Sequence, residues 1–463
     1  MFRKLRGPAR RQRAWTTAID LETWADSWDA RSRLPQLVRR LIHATVESIS
    51  SIDFPAGEQV QRPGWDGLLE TESGNAFVPG GRSGWEMGVD RDPRSKAEKD
   101  FQKRVKSPQG LDPRQVSFVF VTPRRWPQKG KWAESKQKQE IWKTVKVYDS
   151  SNLEEWLETA PAVDAWLARL LGRKPAGVTD VDCYWANLSS ITEPGFKPEV
   201  FLASRDNEKE ALKDWLLGKP PAALALESRS PVEAMDFVAA CLASLDEHQR
   251  ESIEARTLII KERDSWEVLS GWGEQLVLVS HPALPVEPEM AAEAVRQGHH
   301  VLLCSSRFPN QPATRLRLRS PHRCDLEKAL VSSGFEQERA SRLARESGGS
   351  LAVLKRRATP FPSTSRPLWS EPPEASTLVP ILLVGSWDDN NASDRAILEK
   401  LSGGPYSQVL SVANRWLNTE DPPITRGLSQ WSLISREDSW FLLASSLTRE
   451  QLETFEQIAI EVL

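Results

Sequence analysis

The sequence predicts a multidomain α/β protein, and three observations support this fold class. The chain has 463 residues, which is more than one compact core ordinarily holds. Hydrophobic residues make up 39% and charged residues 27% of the chain, as is typical of a globular protein rather than a disordered or membrane protein. Short apolar runs of strand type alternate with segments of helical periodicity over most of the length.

Residues 1–17 are predicted to be a basic arm. Its positive residues are Arg3, Lys4, Arg6, Arg10, Arg11 and Arg13. Such an arm either keeps the chain solvated or contacts nucleic acid, and its composition agrees with both. The formal net charge of -3 gives the whole chain no attraction to nucleic acid, so any contact with DNA has to come from local clusters.

Residues 18–173 are predicted to form the first α/β domain. Apolar residues recur at helical spacing between Ala18 and Ser51, and glycine- and proline-rich stretches then interrupt the pattern. VSFVFVTP has the composition of a buried strand, and VKVY leads into an Asp-Ser-Ser-Asn sequence that favours a helix start. The predicted order is helix, mixed strands, helix, strand and closing helices.

Residues 180–320 are predicted to form a second α/β domain with a doubly wound, largely parallel sheet. Its five apolar runs are FKPEVFLAS, AALALES, RTLIIKE, EQLVLVSH and HHVLLCSS. Amphipathic segments separate these runs, which is the pattern of parallel strands joined by helices. A helical lid at 321–358, a linker rich in Pro and Ser at 359–376 and a helical domain at 377–463 follow. The last helix lacks a C-terminal cap, so we expect the native chain to continue past Leu463.

Four residues stand in the order expected for a site that cleaves phosphodiesters with a divalent cation. Glu47 is assigned to the first helix, Asp66 lies in PGWDG, Glu86 lies in SGWEMG, and Lys96 opens the next helix. Carboxylates can hold divalent cations, and a lysine can polarise the attacking water or the scissile phosphate. The alternative is that Lys96 belongs to the solvated face of an amphipathic helix, and helical spacing alone favours this second interpretation.

The order of these residues resembles that of restriction-endonuclease-like, PD-(D/E)xK domains, and VPGGRSGWE is similar to a nuclease domain at the N-terminus of large bacterial defence proteins. The resemblance covers residues 18–172. It implies that Asp66, Glu86 and Lys96 are catalytic, and that Glu47, Asp66 and Glu86 hold Mg²⁺ or Mn²⁺. The sequence departs from the family at Gly88, where the family has its lysine. We therefore expect Lys96, from the neighbouring helix, to replace it.

The same interpretation predicts a set of contacts to DNA. These residues are Arg82, Arg104, Arg124, Arg125, Trp126, Lys129 and Lys131. Cations along a groove bind the phosphate backbone, and the tryptophans of the basic segment PRRWPQKGKW can stack on bases. The alternative is that this proline-containing segment is an ordinary solvent-exposed connection.

The segment ALALESRSPVEAM has the strand, loop and helix order of a P-loop but lacks its chemistry. The loop from Glu227 to Pro231 has neither the glycines nor the lysine that hold phosphates in a Walker A loop. Together with HHVLLCSSR and LARESGGSL, the region resembles the core of STAND-type and AAA-type ATPases. The resemblance implies a degenerate module without ATP hydrolysis, in which Arg229 and Arg307 are the candidate phosphate contacts. We do not expect ATP to be a cofactor.

These resemblances imply a cytoplasmic endonuclease effector of a prokaryotic antiviral defence system, controlled by a STAND-like module. The implied partners are DNA and either further copies of the chain or a phage-derived or protein trigger. No apolar run approaches the roughly 20 residues that cross a bilayer, and the four cysteines are too widely spaced for a zinc site. Two other functions stay open. One is a non-enzymatic scaffold that binds DNA or assembles proteins, and the other is an ATP-dependent switch, against which the loop chemistry argues.

Overall fold

The computed structural model describes residues 15–55, 64–305, 314–359, 366–417, 419 and 421–462. Most of the predicted basic arm and Arg307 lie outside the described residues. The chain divides into two compact units. The first comprises Met1–Cys183, Leu245–Val279 and Glu289–Val301, and the second comprises Tyr184–Ser244, Ser280–Pro288 and Leu302–Leu463.

The N-terminal part of the chain forms a five-stranded mixed sheet with helices. The elements are α1 (Ala18–Trp24), α2 (Ala30–Thr45), β1 (Ile49–Asp53), β2 (Gly67–Thr71), β3 (Gly81–Met87), α3 (Pro93–Lys106), β4 (Ser117–Val121), α4 (Lys129–Gln137), β5 (Thr144–Tyr148), α5 (Ser150–Leu157), α6 (Pro161–Leu170) and β6 (Val178–Asp180). Strands β1 to β5 are neighbours in sequential order. The pairs β1–β2 and β2–β3 are antiparallel, whereas β3–β4 and β4–β5 are parallel. The α/β character predicted for this region is confirmed.

Strand β4 and residues 83–87 of β3 are buried, and since successive side chains of a strand point to opposite faces, both faces of the sheet are covered at these strands. Trp85 and Val119 belong to a core cluster that includes residues of α1, α2, α5 and α6. Phe118 and Phe120 belong to a second cluster, with residues of α3 and α4. Glu86 follows Trp85 in β3 and therefore points to the face that carries α3.

The helix predicted from Ala18 to Ser51 is wrong at its C-terminal end. Two helices occupy this stretch, and α2 ends at Thr45, after which Val46 is extended. Residues Ile49–Asp53 form β1 and pair with β2. The two isoleucines of ISSID are three residues apart, which also fits helical spacing, so the strand is determined by its pairing with a distant segment rather than by local periodicity.

A second sheet of six strands follows. The next elements are α7 (Val181–Ser189), α8 (Pro198–Leu202), α9 (Asp206–Leu217), β7 (Ala223–Glu227), α10 (Pro231–Ala243), α11 (Glu247–Glu254), β8 (Thr257–Ile260), α12 (Arg263–Leu269), β9 (Val277–Ser280), α13 (Pro288–Arg296), β10 (His300–Ser305) and β11 (Thr314–Arg317). The strand order is β11-β7-β10-β9-β8-β6. Strand β11 is parallel to β7, and β6 is antiparallel to β8.

Four of the five apolar runs predicted as strands are β7, β8, β9 and β10, and the fifth prediction is wrong. The run FKPEVFLAS contains helix α8, with Pro198 in its first turn. Proline is favoured at that position because its missing N–H would have no partner within the helix. The side chains of Val200 and Phe201 on this helix are buried. The apolar residues of the run therefore pack in the core from a helix and do not form a strand.

The C-terminal region is helical with a small sheet. Its helices are α14 (Arg323–Ser332), α15 (Gln337–Glu346), α16 (Leu351–Ala358), α17 (Glu374–Val384), α18 (Ala392–Ser402), α19 (Tyr406–Leu417), α20 (Arg436–Leu443) and α21 (Arg449–Val462), and its strands are β12 (Ser386–Asp388), β13 (Ile424–Arg426) and β14 (Gln430–Leu433). The strand order is β12-β14-β13, and both pairs are antiparallel. The sequence predicted a helical domain at 377–463 and missed the three strands, because strands of three or four residues are too short to show a period.

Tryptophans anchor this small sheet and the segment before it. Trp387 and Trp431 are paired across β12 and β14, with parallel rings whose centroids are 5.5 Å apart. Trp369 lies in the predicted linker, yet only 2% of it is exposed and it packs in the same core cluster. The described part of the linker is therefore attached to the fold. Within the described residues, no helix combines the length and apolar character that crossing a membrane requires.

Candidate functional site

Asp66 and Glu86 are brought together by the hairpin of β2 and β3. In this antiparallel pair Gly67 faces Trp85, so extending the register by one residue sets Asp66 opposite Glu86. The Asp66 carboxylate accepts a hydrogen bond at its Oδ2 from the backbone N–H of Met87, at 2.8 Å. Both predicted carboxylates therefore lie at the same end of β3.

Glu86 is a buried acid with a cationic partner. Only 1% of the residue is exposed, and its carboxylate forms an ion pair with the guanidinium of Arg104, which donates from Nε. Burial, and then repulsion from Asp66, raise the pKa of Glu86 to about 8, against the opposing effect of Arg104. Glu86 is therefore a carboxyl group whose protonation changes near neutral pH.

Lys96 lies directly over Gly88, the position at which the sequence departs from the PD-(D/E)xK pattern. A Cβ placed on Gly88 would lie 2.6 Å from Cγ and 3.2 Å from Cε of Lys96. The backbone N–H of Gly88 donates to the carbonyl of Val121 at 3.1 Å, which continues the β3–β4 pairing by one residue. Positions 86 and 88 consequently share one face of the strand. The Lys96 side chain fills the space that a side chain at position 88 would occupy.

Helix α3 carries Lys96 in its first turn and continues with charged residues on the same face. Asp92 caps the helix by accepting from the N–H of Ser95 at 3.0 Å. Lys96, Asp100 and Arg104 follow at intervals of four residues, which places them in one row along the helix. Lys96 Nζ lies 2.7 Å from Asp100 Oδ2.

Asp100 is a member of the site that the sequence analysis missed. It is 3% exposed, and burial raises the pKa of its carboxyl, with a smaller contribution in the same direction from Asp66. The spacing of four between Lys96, Asp100 and Arg104 was visible in the sequence. Helical spacing alone does not show that this row is buried, because its burial depends on how α3 packs on the sheet.

A cavity of about 370 Å³ opens beside these residues. Its lining includes Asp66 and Lys96 together with Arg31 from α2 and Lys99 from α3. Arg31 and Lys99 are exposed, so the entrance carries positive charge while a carboxylate lies inside. Neither residue was predicted as a DNA contact, since nothing in the sequence places α2 beside the start of α3.

The prediction that Glu47 holds a metal ion with Asp66 is wrong. Glu47 is exposed and lies in a bend after α2, not on the helix. The following strand begins at Ile49, which is paired with Thr71 at the end of β2 remote from Asp66. At about 3.3 Å per residue, the length of β2 separates the two carboxylates by about 16 Å, too far for both to bind one ion.

Three of the predicted DNA contacts are structural residues instead. Arg104 is fully buried against Glu86, and its guanidinium lies 4.8 Å from the ring of Trp65. Trp126 is 5% exposed and packs in the core cluster with Phe118, so it cannot stack on bases. Arg124 donates to the carbonyls of Val89, Glu22 and Ala25 and to the carboxylate of Asp26.

The other predicted DNA contacts remain closer to the surface. Arg125 and Lys131 are exposed, and Arg82 is exposed with an ion pair to Glu70 at 3.0 Å. Lys129 forms an ion pair with Asp149. The segment PRRWPQKGKW is not a simple loop, because α4 begins at Lys129. Arg82, Arg125 and Lys131 therefore remain candidates for phosphate contacts.

Arg124 and Arg125 offer a matched pair of variants. We expect Arg124→Ala to lower the free energy of unfolding by about 2–4 kcal/mol, because several acceptors lose their charged donor. We expect Arg125→Ala to leave stability within about 0.5 kcal/mol and to weaken DNA binding instead. Urea unfolding and a DNA-binding titration of the two variants measure both effects. Equal destabilisation by the two substitutions would contradict the structural role of Arg124.

The degenerate P-loop segment lies between β7 and α10. Within this loop, the hydroxyl of Ser228 donates a hydrogen bond to the backbone carbonyl of Ser230. Glu233, in the first turn of α10, forms a buried ion pair with Arg205. A carboxylate at this helix start opposes the phosphates that a Walker A loop binds. The predicted contact Arg307 lies outside the described residues.

No protein-family model matches the chain, and no curated protein matches it at a significant level of similarity. The assignment of a function therefore depends on the geometry of the residues themselves.

Proposed function

We propose that the chain is a metal-dependent DNA endonuclease whose catalytic residues are Asp66, Glu86 and Lys96. The observation that carries this proposal is the position of the Lys96 side chain over Gly88. A lysine two residues after the second carboxylate completes the PD-(D/E)xK pattern, and here a lysine from α3 occupies that space. The five-stranded mixed sheet supports the proposal, because the β2–β3 pairing sets Asp66 opposite Glu86, and Asp66 and Lys96 line one cavity.

The carboxylates at the site suit Mg²⁺ or Mn²⁺. Oδ2 of Asp66 accepts from Met87 and Oε1 of Glu86 pairs with Arg104, and the proposal assigns the second oxygen of each carboxylate to the cation. Mg²⁺ is commonly bound by one or two carboxylates, with waters and substrate phosphates completing six oxygen ligands. Over the ranges that the structure describes, no group of three or more His, Cys, Asp or Glu side chains is arranged to hold a metal ion. The donor set is accordingly two carboxylates.

Each residue has a distinct part in the proposed reaction. A bound divalent cation would polarise the phosphate and lower the pKa of a coordinated water. Lys96 forms an ion pair with Asp100, and its ammonium group would stabilise the negative charge of the pentavalent transition state. Arg31 and Lys99, at the entrance of the cavity, would bind the phosphates that flank the scissile bond.

Cleavage of supercoiled plasmid by the full chain tests this proposal. We expect cleavage with Mg²⁺ or Mn²⁺ and none with EDTA. Glu86→Gln and Asp66→Asn should each lower the rate by about 100-fold or more, because each removes a charged ligand of the cation. Glu70→Gln is the matched control, since Glu70 lies on β2 but is half-buried and pairs with Arg82 at the other end of the strand from Asp66. Undiminished cleavage in both site variants would rule out these residues as ligands.

A second candidate function is a non-enzymatic scaffold that binds DNA or assembles proteins. The ion pair between Glu86 and Arg104 favours it, because this carboxylate is already neutralised within the core. In that case the full chain would bind DNA with the same affinity in Glu86→Gln as in the wild type, and no divalent cation would support cleavage.

The wider context is also a proposal. We propose that the endonuclease is a cytoplasmic effector in prokaryotic antiviral defence, controlled by a STAND-like module that does not hydrolyse ATP. The strand order β11-β7-β10-β9-β8 and the strand–loop–helix sequence through β7 and α10 support the module. The composition of the loop from Glu227 to Pro231 supports the loss of hydrolysis.

A further inference from the structure

Trp28 is the most exposed tryptophan of the chain, and the proposed mechanism gives it no part. The chain has nineteen tryptophans, all within the ranges that the structure describes, and 93% of Trp28 is exposed. One other, Trp440 on α20, is also exposed, whereas the rest are half-buried or buried. Tryptophan is highly buried on average, because its ring has a large apolar surface. A ring presented so completely to solvent is a candidate contact for a ligand.

The loop that carries Trp28, residues 25–29 between α1 and α2, is held on both sides of the ring. The hydroxyl of Ser27 donates to Oδ1 of Asp29 at 2.7 Å, which links the two neighbours of Trp28. The other carboxylate oxygen of Asp29 pairs with Nε of Arg33 on α2 at 3.0 Å. The backbone is therefore fixed before a ligand binds, which lowers the entropy lost on binding.

One arginine joins this loop to the wall of the cavity beside Asp66. Nε of Arg124 donates to the carbonyl of Val89, which lines the cavity, at 3.0 Å. Nη2 of the same guanidinium donates to the carbonyl of Ala25, in the loop, at 3.0 Å. The loop and the cavity wall are thus separated at this point by a single guanidinium group.

The chain itself gives a second link between Trp28 and the cavity. Arg31 lines the cavity three residues after Trp28, so their Cα atoms are at most about 11 Å apart. A DNA strand in a duplex advances about 3.4 Å per nucleotide, so a strand held at Arg31 passes Trp28 within roughly three nucleotides. The exposed residues that line the cavity are two cations, Arg31 and Lys99, and one acid, Asp90.

The charges close to Trp28 do not repel a polyanion. Both acids of its loop are compensated, because Asp26 pairs with Arg124 at 2.7 Å and Asp29 pairs with Arg33. Arg91 is exposed and lies 3.8 Å from Asp26, so a further cation borders the loop. An exposed aromatic ring among cations is the combination that binds single-stranded nucleic acid, in which phosphates meet the cations and bases stack on the ring.

We propose that Trp28 stacks on an unpaired base of the DNA, and that the preferred substrate is single-stranded DNA or DNA with a single-stranded segment. This inference rests on the proposed function, because it takes the cavity beside Asp66 as the place where the strand is cut. Bases within a duplex are covered on both faces by their neighbours, so the ring can stack only on a base that has left the duplex. Supercoiled plasmid can supply such bases, because negative supercoiling favours local opening of the duplex.

Binding of an end-labelled oligonucleotide, measured by fluorescence anisotropy in EDTA, tests the proposal without cleavage. The full chain is titrated into the single strand and, separately, into the blunt duplex of the same sequence. We expect Trp28→Leu to weaken binding of the single strand about tenfold and binding of the duplex less than about twofold. Trp28→Phe should stay within about threefold of the wild type, since it keeps an aromatic ring. Trp440→Leu is the matched control, because it removes an exposed tryptophan of the second unit.

Four results would each overturn the proposal. They are no binding of the single strand by the wild type, unchanged binding of it by Trp28→Leu, an equal loss on the duplex, and a loss of the same size in Trp28→Phe or Trp440→Leu. A failure of the proposed function is a different result, namely plasmid left intact by the wild type in Mg²⁺. Trp28→Leu keeps the test valid, because removal of an exposed ring leaves the core unchanged.

Discussion

A lysine placed at position 88 is expected to restore the DNA cleavage that is lost in Lys96→Ala. The single variant removes the ammonium group that lines the cavity with Asp66 and should lower the rate by about 100-fold or more. It also removes Cγ and Cε, the atoms that a side chain at position 88 would meet. In Gly88→Lys/Lys96→Ala the new lysine therefore has room, and it projects from the same face as Glu86. We expect it to recover at least about tenfold over Lys96→Ala.

The control variants for this experiment lie on the same helix and strand. Lys103→Ala removes an exposed lysine two turns further along α3 and should leave the rate within about twofold. Gly88→Lys alone should be less stable than the double variant, because its Cβ would lie 2.6 Å from Cγ of Lys96. A double variant as inactive as Lys96→Ala, though equally stable, would show that the lysine does not act from this position.

Arg104→Met is expected to destabilise the protein by about 3–5 kcal/mol at about pH 9, because Glu86 loses its cationic partner in the core and has either to stay charged without one or to bind a proton. Near pH 6 the loss should be smaller, since Glu86 can then bind a proton. The folded-state pKa of Glu86 is raised by burial from its usual value of about 4.5 to about 8. Its contribution to stability is thus fully present below about pH 4.5 and is lost as the pH rises through about 8.

In Arg104→Met the pKa of Glu86 should rise further, because Arg104 opposes its increase in the wild type. The loss of stability with rising pH should therefore continue to a higher pH than in the wild type. Urea unfolding of the full chain at the two pH values measures the difference. Arg104→Met/Glu86→Gln should recover much of the stability at pH 9, since no buried charge remains. An equal loss at both pH values, without recovery in the double variant, would show that Arg104 acts through packing against Trp65 and not through the charge of Glu86.

The sequence predicted the centre of the candidate site better than its periphery. Asp66 and Glu86 are adjacent because one hairpin joins them, and the turn residues of such a hairpin can be recognised locally. Lys96 follows within ten residues of Glu86, in the first turn of the next helix. Few residues separate these groups along the chain, which limits how far apart they can lie in the fold. Their order in the sequence therefore predicted that they lie close together.

Glu47, Arg104 and Trp126 were assigned incorrectly because their environment depends on contacts between distant segments. The pairing of β1 with β2 determines which end of the hairpin Glu47 approaches. The packing of α3 on the sheet determines that Arg104 is buried, and basic residues are ordinarily expected at the surface. Trp126 is part of a basic segment, but its neighbours in space are aromatic core residues.

Prediction of the larger fold from the sequence was limited in the same way, by contacts between distant segments. Runs of four or more β-branched and apolar residues identified β7 to β10, since they are buried on both faces and need no alternation. The strands β12 to β14 have three or four residues each, and Trp387 and Trp431 meet only because the strands pair. No periodicity can be observed over so short a length.

The central claim is that Asp66, Glu86 and Lys96 form a metal-dependent site for DNA cleavage. The rate of plasmid cleavage by the unaltered full chain, measured as Mn²⁺ is titrated in and then removed with EDTA, tests it most directly. The account predicts cleavage that rises with Mn²⁺ to a plateau and stops with EDTA. Intact plasmid at every concentration of Mn²⁺, with the chain folded, would contradict it.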